Sequence, residues 1–414
     1  SATNLRPLNE TSRLRTGRAV DGSAFFSTGL NVGEHHSIVA TALQVRQTTD
    51  DTQIDERSEE GDFERFYELE WIENELTTFQ IGGEHSLLAL GGLVASWQYT
   101  DSAASRESPN TREYRFAQNP STQLYEFAFS NQQRFESLSD DAQEVRADLL
   151  LPFELGETRN ISLKAGGSQL EKARDSSIRR FAFQGTRLPG IVDLEDLLNP
   201  QFIAPNGQQL RDVTQASDSY TASVDLDAYY LSTDVEWGDF RVNLGAREEK
   251  ILQEVITLQP FAPNPTPVIG RVDESNLLPS GTITWSYSEP AQIRFAYAQT
   301  LSRPDIREQS PANFIDPLLD TRVIGSADLV QTEIENIDLR WEYYFSSTES
   351  VSVALFQKDF TNPIELINTP GTGDLLTLRN AASATNRGIE LDVFKSLGFI
   401  ERWEWLPAWL ESLP

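Results

Sequence analysis

Chemistry in a chain starts from its nucleophiles, its titratable rings and its clustered charges. This 414-residue chain has no cysteine, and its histidines are His35, His36 and His85. Thiolate chemistry and a disulfide frame are therefore excluded. A zinc site needs about three or four converging ligands. Two of the histidines fall at an expected tight turn and the third lies near another, so solvated turn positions are the plainer reading. The sequence holds no phosphate loop, no Gly-x-Ser-x-Gly elbow and no His-Glu-x-x-His. No catalytic residue, metal site or cofactor is expected, and the chain does not read as an enzyme. Asp50, Asp51, Asp55, Glu56, Glu59, Glu60 and Asp62 offer the oxygen ligands that hard cations take. They lack calcium-loop spacing, and a solvated acidic loop is expected there. The residues best suited to hold a small ligand are basic and aromatic: Arg174, Arg179, Arg180, Phe181 and Phe183. A second, weaker group is Arg112, Tyr114, Arg115 and Phe116. Guanidinium forks bind carboxylate or phosphate, and aromatic rings stack on flat ligands or sugars. The competing reading of both groups is pairing within the chain's own acidic excess.

The elements that would carry these residues follow one pattern. In Ile334–Phe345, Ile337, Leu339, Trp341 and Tyr343 fall on one face of a strand, while Asn336, Asp338, Arg340 and Glu342 fall on the other. A strict period of two is the mark of a half-buried strand. A short polar turn follows at 346–350, and Val351, Val353 and Leu355 repeat the alternation, which predicts an antiparallel hairpin. The same device recurs from about Ala24–Leu30 to Ile389–Val393 and gives roughly thirteen strands. Every second connection is short, at 31–36, 88–92, 237–239 and 288–290. The others, 47–62, 101–141, 172–218 and 304–332, are long and polar. Short turns at one rim and long loops at the other are the pattern of a transmembrane antiparallel β-barrel. A soluble sandwich, such as an all-β carbohydrate-binding or hydrolytic protein, would also alternate. Against it stand the length of the strands, the systematic loop asymmetry and the aromatics on the apolar face, among them Trp71, Trp97, Tyr99, Trp285 and Tyr287. Those rings suit a membrane interface.

The formal charge of −29 argues against a nucleic-acid partner, since phosphates need a basic patch. No apolar run reaches the about 18 residues of a membrane helix, whereas a barrel strand needs only about 10 alternating ones. The N-terminal Ser-Ala-Thr-Asn-Leu-Arg is not a signal peptide and the chain has no methionine, so a processed or partial chain is expected. Near the C-terminus, Phe399, Trp403, Leu406, Leu410 and Leu413 share a helical face, which predicts either a short interfacial helix or a plain connector.

Segment 277–304 contains Leu278-Pro279-Ser280, Arg294-Phe295-Ala296-Tyr297 and Thr300-Leu301-Ser302-Arg303-Pro304. It resembles the barrel of TonB-dependent outer-membrane receptors. Leu244-Gly245-Ala246-Arg247, Ile324-Gly325-Ser326-Ala327-Asp328-Leu329 and Asn386-Arg387-Gly388-Ile389-Glu390 look like further motifs of that family, in family order, with Ser326 and Ala327 replacing its Asn and Pro. The resemblance implies an outer-membrane receptor of a Gram-negative bacterium that binds and imports a scarce nutrient, such as an iron chelate, cobalamin, a sugar or a peptide. It also implies a plug domain and an inner-membrane TonB complex as energy source, and neither a plug nor a TonB box is recognisable here. A passive porin or structural barrel is the alternative within the membrane. By the same resemblance, residues 1–414 form a single barrel domain belonging to a larger, about 22-stranded barrel, whose terminal strands would show free edges. Parity then predicts that Leu69, Phe79, Trp97, Leu149, Leu163, Phe295, Leu339 and Val353 face lipid, while Glu70, Asp148, Arg294 and Arg340 face the lumen.

Overall fold

The computed structural model describes residues 9–59, 62–127, 131–156, 159–184, 209–259, 263–316, 321–368 and 375–396. The expected C-terminal helical face at 399–413 lies outside them, as does the middle of the 172–218 connection. The strands in chain order are β1 (Asn9–Val32), β2 (His36–Glu59), β3 (Asp62–Leu87), β4 (Leu93–Gln118), β5 (Tyr125–Phe127), β6 (Gln132–Glu154) and β7 (Arg159–Gln184). They continue as β8 (Gln209–Asp212), β9 (Tyr220–Trp237), β10 (Phe240–Leu258), β11 (Pro267–Ser288), β12 (Ala291–Ser302), β13 (Asn313–Asp316) and β14 (Thr321–Ile324). The last are β15 (Thr332–Ser346), β16 (Glu349–Thr361), β17 (Ile364–Asn368), β18 (Leu375–Asn380) and β19 (Ser383–Phe394). One short helix, α1 (Ile306–Gln309), lies between β12 and β13.

Among the described residues, thirteen strands form one antiparallel path, β1-β2-β3-β4-β6-β7-β9-β10-β11-β12-β15-β16-β19, with β5 and β8 attached to β4 and β7. Each strand meets the next in the chain through a short turn or returns from the opposite rim, which is the meander of a barrel wall. Register explains why the wall suits a membrane. Phe153, Ile161, Val235, Val242, Ile283, Phe295, Leu339, Leu355 and Ile389 stand opposite one another across successive strands from β6 to β19. The adjoining row on the other face is Pro152, Ser162, Asp234, Asn243, Thr282, Ala296, Asp338, Phe356 and Gly388. One face is thus a continuous apolar band, and the other is mostly small or polar, with Phe356 set beside Gly388. Nearer the short turns the band ends in aromatics: Trp285 stacks on Phe240 at 5.9 Å, and Trp341 Nε1–H donates to the Tyr287 hydroxyl at 2.9 Å. Such rings place an apolar body in hydrocarbon and a polar edge in the interface.

On the inner face, Arg340 donates to Glu342 Oε1 and Ser352 Oγ, both at 2.9 Å, and Tyr230 donates to Asp148. Arg294, Arg340 and Asp148 therefore sit opposite the Leu339 and Leu149 face, as parity predicts. Gly83 allows a further aromatic bridge on the outer face: a Cβ there would lie 2.7 Å from Trp97 Nε1, so glycine lets the indole lie across β3 and donate to His85 Nε2 at 3.1 Å. The end strands β1 and β19 are joined to β2 and β16. Adjacent Phe25 and Phe26 are 69% and 65% exposed, so both faces of β1 are open.

The structure corrects the expected loops. Segments 47–62 and 101–141 are largely strand among their described residues, and the third, 172–218, begins as strand: β2 and β3 run on to Glu59 and Asp62, β4 extends to Gln118, and β7 to Gln184. Beyond the lipid both faces of a strand are wet, so the hydrophobic period that marks a strand in sequence disappears. Backbone ladders persist, supported by cross-strand ion pairs such as Arg46–Glu73 and Arg65–Glu56, both at 2.5 Å. The acidic stretch is thus half of a hairpin. Its Asp55, fully buried, takes Arg13 and Arg57 at 2.9 Å each. Among the described residues no group of three or more metal-ligating side chains converges.

Candidate functional site

Two features place side chains at the long-loop end of the wall. The first is a β-bulge. Glu73 pairs with Glu107 but Leu69 pairs with Arg112, so β4 carries one extra residue between them, and the β4–β6 ladder shifts between Ser108 and Thr111. Pro109 lies in this stretch and has no N–H for the ladder. The bulge exchanges the faces of β4. Before it, even-numbered residues such as Arg106 face the lumen. After it, Arg112, Tyr114 and Phe116 share the face of Leu69.

The second feature is an inward fold of the chain after β12. Arg303 reaches Glu249 at 2.6 Å, and Gln253 Nε2–H donates to the Pro304 carbonyl at 3.0 Å, which draws the chain off the wall and across the lumen side of β11. Helix α1 then packs Ile306 on a buried patch of Tyr220, Ala222, Val224, Ile251, Val255 and Val272. Asp305 caps it, accepting from Arg307 N at 2.8 Å, while Glu308 accepts from Asp305 N at 2.9 Å. Gly270 lies under Gln309, where a Cβ would be tight at 3.1 Å, and Gly325 lies against the carbonyls of Arg307, Glu308 and Ser310, a close approach that only an absent Cβ permits. Further along, β14 pairs with β18 in parallel and joins β13 and β17 in a four-stranded sheet over a small core of Val323, Leu329 and Leu378. The described residues of the expected loop, 304–316 and 321–332, therefore form folded structure, with α1 on the lumen side of the wall.

The structure separates the sequence candidates. Arg174 donates to Asp140 at 2.8 Å, and Arg180 to Asp218 at 2.9 Å and Gln132 at 3.2 Å, all on the lumen face. Arg179, Phe181 and Phe183 alternate with them and occupy the opposite face. There Arg179, 66% exposed, pairs with Asp212 at 3.1 Å and lies 5.2 Å from the Phe181 ring. Thr214, first, and then Arg179 hold the Asp212 carboxyl below the usual carboxylate range. Phe183 joins a cluster with Tyr114, Phe116 and Phe127, in which Tyr114 and Phe116 are buried. Tyr114 is thus a packing residue and not an open stacking surface. Arg115 pairs with Glu64, on the lumen side of the bulged strand. Burial of Arg174, Arg180 and Asp218 with partners fits the high cost of leaving a buried charge unpaired.

Sequence reasoning missed the inner group that the fold does assemble. Arg134, nearly buried, bridges Glu113 at 2.5 Å and Glu136 at 3.0 Å on the lumen face. Arg106 and Arg307 are exposed there, and the charges of Glu136 and Arg106 act on Arg307. Even parity on β4 marks Arg106 as lumen-facing, but nothing in sequence brings Arg307 beside it. The group can present guanidinium forks to an anionic ligand on the lumen side of the wall.

Comparison with known families decides what this wall belongs to. Residues 10–410 match the family model described as "TonB dependent receptor-like, beta-barrel". The chain belongs to the TonB-dependent receptor family. It is accordingly a β-barrel protein of the Gram-negative outer membrane, in a family of receptors and not of enzymes. No curated protein sequence matches it. The ferric-catecholate import receptor Fiu of E. coli K12 is similar in structure, with a TM-score of 0.53 and 9% identity, covering 92% of this chain and 62% of Fiu. The siderophore receptor PiuA of Acinetobacter baumannii gives 0.49 and 12%, covering 93% and 61%. The Serratia marcescens hemophore receptor HasR, in complex with its hemophore HasA and heme, gives 0.43 and 10%, covering 90% and 60%. This TonB-dependent receptor chain thus spans about 62% of the length of Fiu.

Proposed function

We propose that this TonB-dependent receptor imports an iron chelate, and that its lumen-facing guanidinium groups Arg106 and Arg307 contact the chelate's anionic periphery. The observation that carries the reading is the family membership over nearly the whole chain. Ferric-catecholate import, the activity of its structural relative Fiu, supplies the substrate class. Two solvent-exposed arginines on the lumen side support an anionic ligand, because a guanidinium fork matches an oxyanion pair. In the full-length receptor the TonB complex would supply energy from the inner membrane.

The test is binding and uptake by the full-length receptor of ferric catecholate, ferric hydroxamate, ferric carboxylate and heme, with cobalamin and a maltooligosaccharide as non-iron controls. Saturable uptake of an iron chelate, reduced in Arg106→Ala/Arg307→Ala with unchanged surface abundance, is the expected result. Uptake of a control compound and of no iron chelate would overturn the proposal.

A further inference from the structure

The wall has a split on its long-loop side. β10 pairs with β11 along the whole length from Leu258↔Pro267 to Phe240↔Trp285, but β11 pairs with β12 only between Ser280 and Ser288. β12 itself continues to Ser302, held on its other side by β15. Above Ser280, then, β11 and β12 diverge, and a cavity of about 320 Å³ opens between them, reaching Ser275–Leu278 on one side and Gln299–Leu301 on the other. The cause is local. Pro279 lacks the N–H that a ladder needs and lies at the fork, and Arg303 pulls the end of β12 toward Glu249 on the lumen side. The lumen side of the split is spanned by a reciprocal amide pair, Gln331 to Asn276 at 2.9 Å and Asn276 to Gln331 at 3.5 Å.

In an antiparallel strand, alternate residues direct their N–H and C=O groups to each neighbour. Among the described residues, half of the backbone groups of 267–279 therefore meet no strand. An unpaired edge of this kind is a template for an added strand. The side chains around the split add a sign. Glu333, Glu335 and Asp359 line it, and no basic residue does. Glu335 and Asp359 are directly opposite on β15 and β16, and they stand on the face of Ile337 and Leu339, just beyond the apolar band. Such a lining repels phosphates and other anions.

We infer that the split between β11 and β12 is a docking site for an extended, basic polypeptide segment of a partner protein, which adds as a strand to the outer half of β11. Backbone pairing along β11 supplies register-independent affinity, and the three carboxylates select lysine or arginine at alternate positions of the incoming strand. The site is distinct from the lumen, so it does not depend on which nutrient is carried.

The test uses the full chain in detergent and, as probe, a fluorescein-labelled peptide of alternating lysine and valine, about ten residues long. Fluorescence anisotropy should show saturable binding at physiological salt. A peptide N-methylated at alternate backbone positions, with the same charge, should bind about tenfold or more weakly, as lost strand hydrogen bonds require. E333Q/E335Q/D359N should weaken the unmodified peptide about tenfold, while E34Q/D239N at the short-turn rim should leave it unchanged. A second variant removes any ambiguity of folding: Leu277→Cys/Leu301→Cys, in a protein with no other cysteine, should lose binding when oxidised and regain it on reduction. Equal binding of the N-methylated peptide, or binding unaffected by closing the split, would overturn the assignment and reduce the effect to general attraction by an acidic protein.

Discussion

Gln253 and Gln309 are both buried and joined at 2.8 Å, Nε2–H of the first donating to Oε1 of the second. This contact ties wall strand β10 to the helix inside it, and Gln309 passes the link on by donating to the Leu329 carbonyl at 3.2 Å. Removing one partner of a buried hydrogen bond costs about 1–3 kcal/mol. Gln253→Leu should therefore loosen the inner segment without disturbing the wall. Hydrogen exchange should quicken over 303–331 and stay unchanged in β15 and β16; equal protection of the segment in variant and parent would refute the link.

Gly325 tests the same docking from the other side. A Cβ there would run into the carbonyl oxygens of Ser310 and Glu308, which are backbone and cannot rotate away. Overpacking of this kind costs about 1–3 kcal/mol. Gly325→Ala should raise protease sensitivity near 303–331 with the barrel still folded, whereas Gly22→Ala, whose Cβ meets nothing within 4 Å, should be silent.

The apolar band makes a depth-dependent prediction. Leu339 belongs to the row of nine apolar residues and stands between Phe295 and Leu355, so Leu339→Arg should destabilise the folded state in lipid by about 2–4 kcal/mol. Asp338→Asn, on the lumen face next to it, should change far less. Urea titration of the protein refolded in phospholipid vesicles measures both, and a smaller effect for L339R than for D338N would reverse the facing.

Protonation should tighten the inner segment. Burial pushes the Glu308 carboxyl above its ordinary range, against the opposing hydrogen bond from Asp305 N–H. A carboxyl whose folded value is raised contributes stability that is complete below its unfolded value and is lost as pH rises through the folded one. Exchange over 303–310, corrected for intrinsic rate, should thus accelerate as pH climbs from the ordinary carboxylate range upward. Glu308→Gln keeps an acceptor for Asp305 N–H and should flatten that profile; an unaltered profile would assign it to another group.

Much of the wall was legible in the sequence because a strand in lipid obeys one rule that sequence records directly. Where one face meets hydrocarbon, parity sorts every residue: Leu339 from Arg340, Leu149 from Asp148, Trp97 from Gln98. The short turns and the number of principal strands follow from the same alternation. Outside the lipid that rule lapses, so the outer parts of β2, β4, β6 and β7 read as loops in the sequence, although ladders and ion pairs hold them as strands. The site was less legible still. One inserted residue in β4 moves Tyr114 and Phe116 to the face opposite Arg106, and period two divides Arg179, Phe181 and Phe183 from Arg174 and Arg180. Arg307 comes within electrostatic reach of Arg106 only because the chain after β12 turns inward on Arg303–Glu249 and Gln253–Gln309. Those contacts join residues more than fifty positions apart, and local sequence carries no term for them.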